Sequence, residues 1–90
     1  MGVVNPNYRW NDWNLEKIVK HLRDMTPEEV ESIFSNLAMG YPRKSRGAYV
    51  VRGKSNRDRW LQVAYVTDDD GAFFVIHTRP LTDKERRKIE

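Results

Sequence analysis

An α+β fold follows from three features of this sequence. Two short amphipathic segments with helix-capping signals lie in the first half. Three alternating, β-branched segments joined by short links lie in the second. A capped, basic segment closes the chain. The predicted element order is β-α-α-β-β-β-α, with helices packed on one antiparallel sheet. The 90 residues form a single expected domain, 1–90, with no repeat, linker or low-complexity run.

A short strand is expected at Tyr8 to Trp10. The first helix starts near Asp12 or Asn14, both good N-caps. Leu15, Ile18, Val19 and Leu22 recur at helical spacing and form one apolar stripe. The second helix has the clearest local signal. Thr26 is its N-cap, Pro27 occupies the first helical position, and Glu29 completes a capping-box spacing. Val30, Ile33, Phe34 and Leu37 form its stripe, and Gly40 and Pro42 end it.

Gly47 to Lys54, Arg59 to Thr67 and Ala72 to Thr78 are the predicted strands. The last is the most apolar and is expected at the centre of the sheet. The links, Gly53 to Asp58 and Asp68 to Gly71, are short enough to make these strands antiparallel neighbours. Strict alternation groups Arg79 with Phe73, Val75 and His77. Thr82 and Glu85 repeat the capping-box spacing, so a last helix runs to Glu90.

The net charge of +3 hides an asymmetry. Residues 1–42 carry four basic and six acidic side chains. Residues 43–59 carry seven basic side chains (Arg43, Lys44, Arg46, Arg52, Lys54, Arg57, Arg59) against Asp58 alone. Such a segment suits a polyanionic partner, or is a solvated surface with none. Cysteine is absent, which removes disulfides and thiolate metal sites. The apolar run at Ala72 to Ile76 is too short to span a bilayer, and no signal-peptide pattern opens the sequence. A soluble, cytoplasmic protein with no membrane partner is the expectation.

Chemistry is expected from few groups. There is no glycine-rich phosphate loop and no His-x-x-x-His pair. Asp68, Asp69 and Asp70 read as a solvated hairpin tip, so neither a metal site nor a cofactor is expected. His21 and His77 are the acid-base candidates, because an imidazole titrates near neutral pH. Arg59 and Arg79, at strand ends, could hold a phosphate bidentately. The alternatives are a sheet-edge charge for Arg59 and an ion pair with Glu85 for Arg79. Trp10, Trp13 and Trp60 read as core rather than as base-stacking platforms.

Four stretches together resemble the BrnT-like toxins. They are Trp13-Asn14-Leu15-Glu16-Lys17-Ile18 with Lys20-His21, Thr26-Pro27-Glu28-Glu29-Val30-Glu31, Arg59-Trp60-Leu61, and Thr78-Arg79-Pro80-Leu81-Thr82-Asp83-Lys84-Glu85-Arg86. The resemblance implies a RelE-like ribonuclease fold within a type II toxin–antitoxin system. It implies RNA as substrate and a cognate antitoxin, often of the ribbon-helix-helix class, as partner. Carried over, it matches His21, Arg59, and Arg79 with Glu85 as the catalytic set; His77, which with Thr78 stands where the family commonly has a small residue pair, is the alternative acid-base group. Lys17, Lys20, Arg43, Lys44, Arg46, Arg52, Lys54 and Arg57 would hold the RNA backbone. Where the family commonly has glycine before the strand arginine, this chain has Asp58. The competing expectation is a non-catalytic module of the same fold that binds protein or nucleic acid.

Overall fold

The computed structural model describes residues 7–89. Strand β1 (Tyr8–Arg9) leads into helix α1 (Asp12–Ile18) and helix α2 (Pro27–Ser32), which a 3₁₀ turn, Ile33–Ser35, prolongs. Strands β2 (Arg43–Ser45), β3 (Ala48–Lys54), β4 (Trp60–Thr67) and β5 (Phe73–Pro80) follow, and helix α3 (Asp83–Ile89) closes the described chain. The fold is α+β, with three helices and one five-stranded sheet in the order β1-β5-β4-β3-β2. Neighbours among β2 to β5 are antiparallel, whereas β1 pairs with β5 in parallel. The sheet is therefore mixed, not purely antiparallel as expected.

The structure adds one strand to the predicted order. Arg43–Ser45 folds back on Ala48–Val50 through a turn at Arg46 and Gly47, both at positive φ. Three polar residues carry no alternation signal, so sequence pattern cannot mark this strand. Strand β4, not β5, is central. Its partners on both sides cover it, and Leu61 and Val63 are fully buried.

The helices begin as their capping residues dictate, with two adjustments. Asn11 caps α1. Its side chain accepts from the Asn14 amide, and the Asn14 side chain accepts from the Asn11 amide. Asn14 is fully buried and also donates to the Arg9 carbonyl, which ties α1 to β1. The helix stops at Ile18, short of the predicted stripe. Ile18 and Val19 are β-branched and favour helix weakly. Val19 and Leu22 still pack on the core, but from the turn that follows. Thr26 caps α2 through the Glu29 amide, 3.2 Å away. The Glu29 carboxylate bonds elsewhere, so only half of the expected capping box forms. At α3 both halves are present: Thr82 accepts from the Glu85 amide, and Glu85 accepts from the Thr82 amide at 2.9 Å.

The core lies between α1–α2 and one face of the sheet. Ile18, Met25, Val30, Ile33, Val51, Leu61, Val63, Tyr65 and Val75 form it, with Phe34 and Leu37 at its margin. Alternation along β4 points Leu61, Val63 and Tyr65 to this face. Gln62 and Ala64 then point to the other. Trp13 departs from its expected core role: it is about half exposed and stacks on Phe74 at 5.7 Å. Gly53 lets β3 pass against the end of the 3₁₀ turn, where a Cβ would lie 2.7 Å from the Asn36 carbonyl oxygen.

Candidate functional site: an imidazole pair beside a guanidinium network

A bulge in β5 builds the site. Tyr65 pairs with Val75, but the preceding Ala64 pairs with His77, so Ile76 is the extra residue. The parity of the strand changes across it. Val75 is buried opposite Tyr65, and Thr78 is buried opposite Val63. His77 and Arg79 are thereby moved to the face away from the core, apart from Phe73 and Val75. Strict alternation is corrected here.

His77 meets His21, which stands just after α1. Their Nε2 atoms are 3.2 Å apart and their rings are edge to face. A hydrogen bond at this distance requires one ring to carry hydrogen on Nε2 and the other to leave it bare. His77 is held below its usual pKa. Burial is the larger cause, and repulsion from His21, Arg79 and Lys20 adds to it. Along the same side of α1, Lys17 lies 5.0 Å over the Trp13 ring. The arrangement is a proton donor and a proton acceptor side by side, in a positive field, with the His21 ring exposed to solvent.

Arg79 continues the face. Its two Nη atoms bond both Glu85 oxygens at 2.8 Å, and Nη2 also reaches Gln62 Oε1. Gln62 accepts from Arg52 Nε at 2.9 Å, and Arg52 Nη2 donates to Glu85 at 2.9 Å. One carboxylate thus serves two guanidiniums. Hydrogen bonds from Arg79 and from the Thr82 amide hold the Glu85 carboxyl well below the usual carboxylate range. The same contact raises Arg79 further above neutrality.

Arg59 does not join this group. It lies on the opposite face of the sheet, where it reaches α2. Its Nε donates to Glu29 Oε2 at 2.8 Å, its Nη2 donates to Glu29 Oε1, and its Nη1 donates to Asp24. Arg57 bonds the same two carboxylates, and Ser55 donates to Glu29 at 2.7 Å. The Glu29 side chain is only 1% exposed. Its carboxyl, and that of Asp24, are held low mainly by hydrogen bonds from Arg59. Neither acid was expected in this cluster: the sequence marked Glu29 only as a capping-box residue. The usable signal was the surplus of arginine beside them, but a pairing thirty positions apart in sequence has no local signature.

The basic segment divides in the same way. Arg52, Lys54, Arg57 and Arg59 each face a carboxylate, Lys54 through Asp58 at 2.9 Å. Arg43, Lys44 and Arg46 are exposed and make no ion pair among the described residues. Asp58 has φ +66, a conformation glycine adopts freely and aspartate tolerates. Asp68 and Asp70 at the β4–β5 tip pair with Arg9. Among the described residues no cluster of three or more histidine or acidic side chains is placed to hold a metal ion, and no helix is long and apolar enough to cross a membrane.

No protein-family profile matches the chain, and no curated protein or solved structure matches it either.

Proposed function

We propose that the protein is a metal-independent ribonuclease toxin of the BrnT-like kind, with a RelE-like fold, acting in the cytoplasm and neutralised by a cognate antitoxin. The observation that carries the reading is the His21–His77 pair beside Lys20 and Arg79. Cleavage would use the RNA 2′-hydroxyl as the nucleophile on its own 3′ phosphate. One imidazole, bare at Nε2, takes the hydroxyl proton. The other gives its proton to the departing 5′ oxygen. His77 suits the base role, because its lowered pKa keeps it neutral near pH 7. Lys20 and Arg79 offset the charge that builds on the phosphate. Arg59 acts only as a structural anchor in this scheme. Glu85 orients Arg79.

The test is cleavage of a labelled single-stranded RNA in EDTA. The expected products carry a 2′,3′-cyclic phosphate and a 5′-hydroxyl. His21→Ala and His77→Ala should each lower the rate by about 10²–10⁴-fold, the usual contribution of a general acid or base. Induction of the wild-type chain without its antitoxin should halt growth, and either histidine variant should not. Full activity in the double variant would defeat the scheme.

A second reading has its own support. Both arginines that the sequence suggests for phosphate contact, Arg59 and Arg79, are bound to carboxylates. A non-catalytic module that binds a partner through the same face would leave them so. It predicts RNA binding or partner binding with no cleavage products.

A further inference from the structure

We propose that the cleft beside Tyr41 is a nucleotide-binding site, with cations for the phosphate and an apolar wall for the base. The cleft has a volume of about 530 Å³ and is lined by Met39, Tyr41, Arg43, Arg52, Lys88 and Ile89. Its cations are arranged before any ligand arrives. The Arg43 guanidinium carbon lies 4.4 Å from the centre of the Tyr41 ring, and that of Arg52 lies 5.8 Å from it. An aromatic face attracts such groups and fixes their plane. Arg43 Nε donates to the Gly40 carbonyl at 3.2 Å, which leaves its Nη atoms for a ligand. Arg52 is fixed by Gln62 and Glu85.

The charge does not balance. Glu85 is shared between Arg52 and Arg79, and Arg43 and Lys88 have no carboxylate partner among the described residues. Like charges gathered this way attract an anion. Simple phosphate would use only part of the site. Met39 is 96% exposed beside the cations, and Ile89 adds a second apolar surface. A ligand with a phosphate next to a flat, partly apolar group matches both halves. A nucleotide has that composition, whether it is free or part of an RNA strand. Arg52, Glu85 and Arg79 link the cleft to the imidazole pair along one face, so a strand passing both would be held at two points. Only the RNA source rests on the proposed ribonuclease activity; the free-nucleotide source does not.

The test is amide chemical-shift titration of the ¹⁵N-labelled full chain with uridine 5′-monophosphate, uridine, inorganic phosphate and a short oligouridylate. The monophosphate should shift Tyr41, Arg43, Arg52 and Lys88. It should bind about tenfold more tightly than phosphate or uridine. Arg43→Ala and Lys88→Ala should each weaken it about tenfold, the loss of one charge-assisted contact. Both side chains are at the surface, so both variants should fold, and an unchanged amide spectrum elsewhere checks this. The same shifts with the oligouridylate assign the site to RNA; shifts with the monophosphate alone assign it to a free nucleotide. Phosphate binding as tightly as the monophosphate, an oligoglutamate displacing it equally well, or shifts centred elsewhere would overturn the proposal. Binding here without RNA cleavage would defeat the ribonuclease scheme and leave this site standing.

Discussion

His21 and His77, 56 positions apart in sequence, place their Nε2 atoms 3.2 Å from each other. The turn after α1 delivers one ring and the bulged strand β5 delivers the other. Two such rings cannot both be protonated without repulsion.

Proton uptake by His77 should therefore lie below the usual imidazole range. Burial and the charges of His21, Arg79 and Lys20 lower His77 from its ordinary 6.5. His21→Ala removes one of those repulsions, so the His77 titration should move up toward 6.5. Imidazole proton–nitrogen spectra across about pH 4 to 9 report it directly (the range is about two and a half units either side of the ordinary value). The sign for stability follows from the same shift. Below 6.5 the unfolded chain binds more protons at His77 than the folded one, so stability falls as pH drops through this region. His77→Gln should flatten that slope. An unchanged titration in His21→Ala would show that the rings do not interact in solution.

Glu29 should be the costliest ionisable side chain to remove. It is 1% exposed and takes bonds from Arg59, Arg57 and Ser55. Breaking one side of a buried pair strands the other charge, which costs about 3–5 kcal/mol. Urea unfolding of Glu29→Ala should show a loss of this size, and Arg59→Ala should lose stability for the same reason. Arg59→Ala tested for activity alone would thus confuse unfolding with catalysis. The acid side follows as well. Glu29 and Asp24 are held below their ordinary values, so the stability they confer is present above about pH 4.5 and lost below it. Equal stability of Glu29→Ala and wild type would mean that the cluster contributes nothing.

What the sequence made legible was local. Thr26 with Pro27, and Thr82 with Glu85, mark helix starts within one turn of chain, and the structure has helices there. Alternation along β4 also holds, because that strand is paired on both sides from Leu61 to Tyr65. The remainder depends on contacts between distant segments. The β5 bulge, a single extra residue, regrouped Arg79 and His77 away from Phe73 and Val75. Glu29 had the spacing of a capping-box residue, but arginines from the β3–β4 link took its carboxylate. Three polar edge residues became β2 only because β3 offered them a partner. For the site, both histidines were visible as residue types, whereas their proximity was not.

Gly53→Ala should be far worse than an ordinary strand substitution. A Cβ there would meet the Asn36 carbonyl oxygen at 2.7 Å and that of Ile33 at 2.9 Å. Those backbone atoms cannot rotate away, and the neighbouring bonds hold them. Ala38 donates to the Arg52 carbonyl at 2.8 Å, and Lys54 donates to the Asn36 carbonyl at 3.2 Å. Relief requires moving β3 off the 3₁₀ turn, at a cost of about 1–3 kcal/mol or more. Thermal melting should show the loss. Ala48, at the half-buried start of the same strand, is the comparison site, and Ala48→Gly should cost less. If Gly53→Ala melts with the wild type, the close approach of β3 to the turn is wrong.

Salt dependence of RNA binding should single out three of the seven cations between residues 43 and 59. Arg52, Lys54, Arg57 and Arg59 already face carboxylates, so they release few counterions when a phosphate arrives. Arg43, Lys44 and Arg46 face none among the described residues. Each phosphate neutralised on a single strand contributes about −0.7 to the slope of log affinity against log salt, so these three contribute about −2. Replacing Arg43 and Lys44 with Gln, and Arg46 with Asn, should reduce the slope by that amount. Asparagine is chosen because Arg46 has φ +52, which it tolerates. Lys54→Gln should change the slope little, since its charge is already offset by Asp58. Filter binding of a short single-stranded RNA across a salt series separates the two groups. A slope that responds to Lys54→Gln and not to the triple substitution would move the RNA-binding surface off β2 and its turn and onto the end of β3.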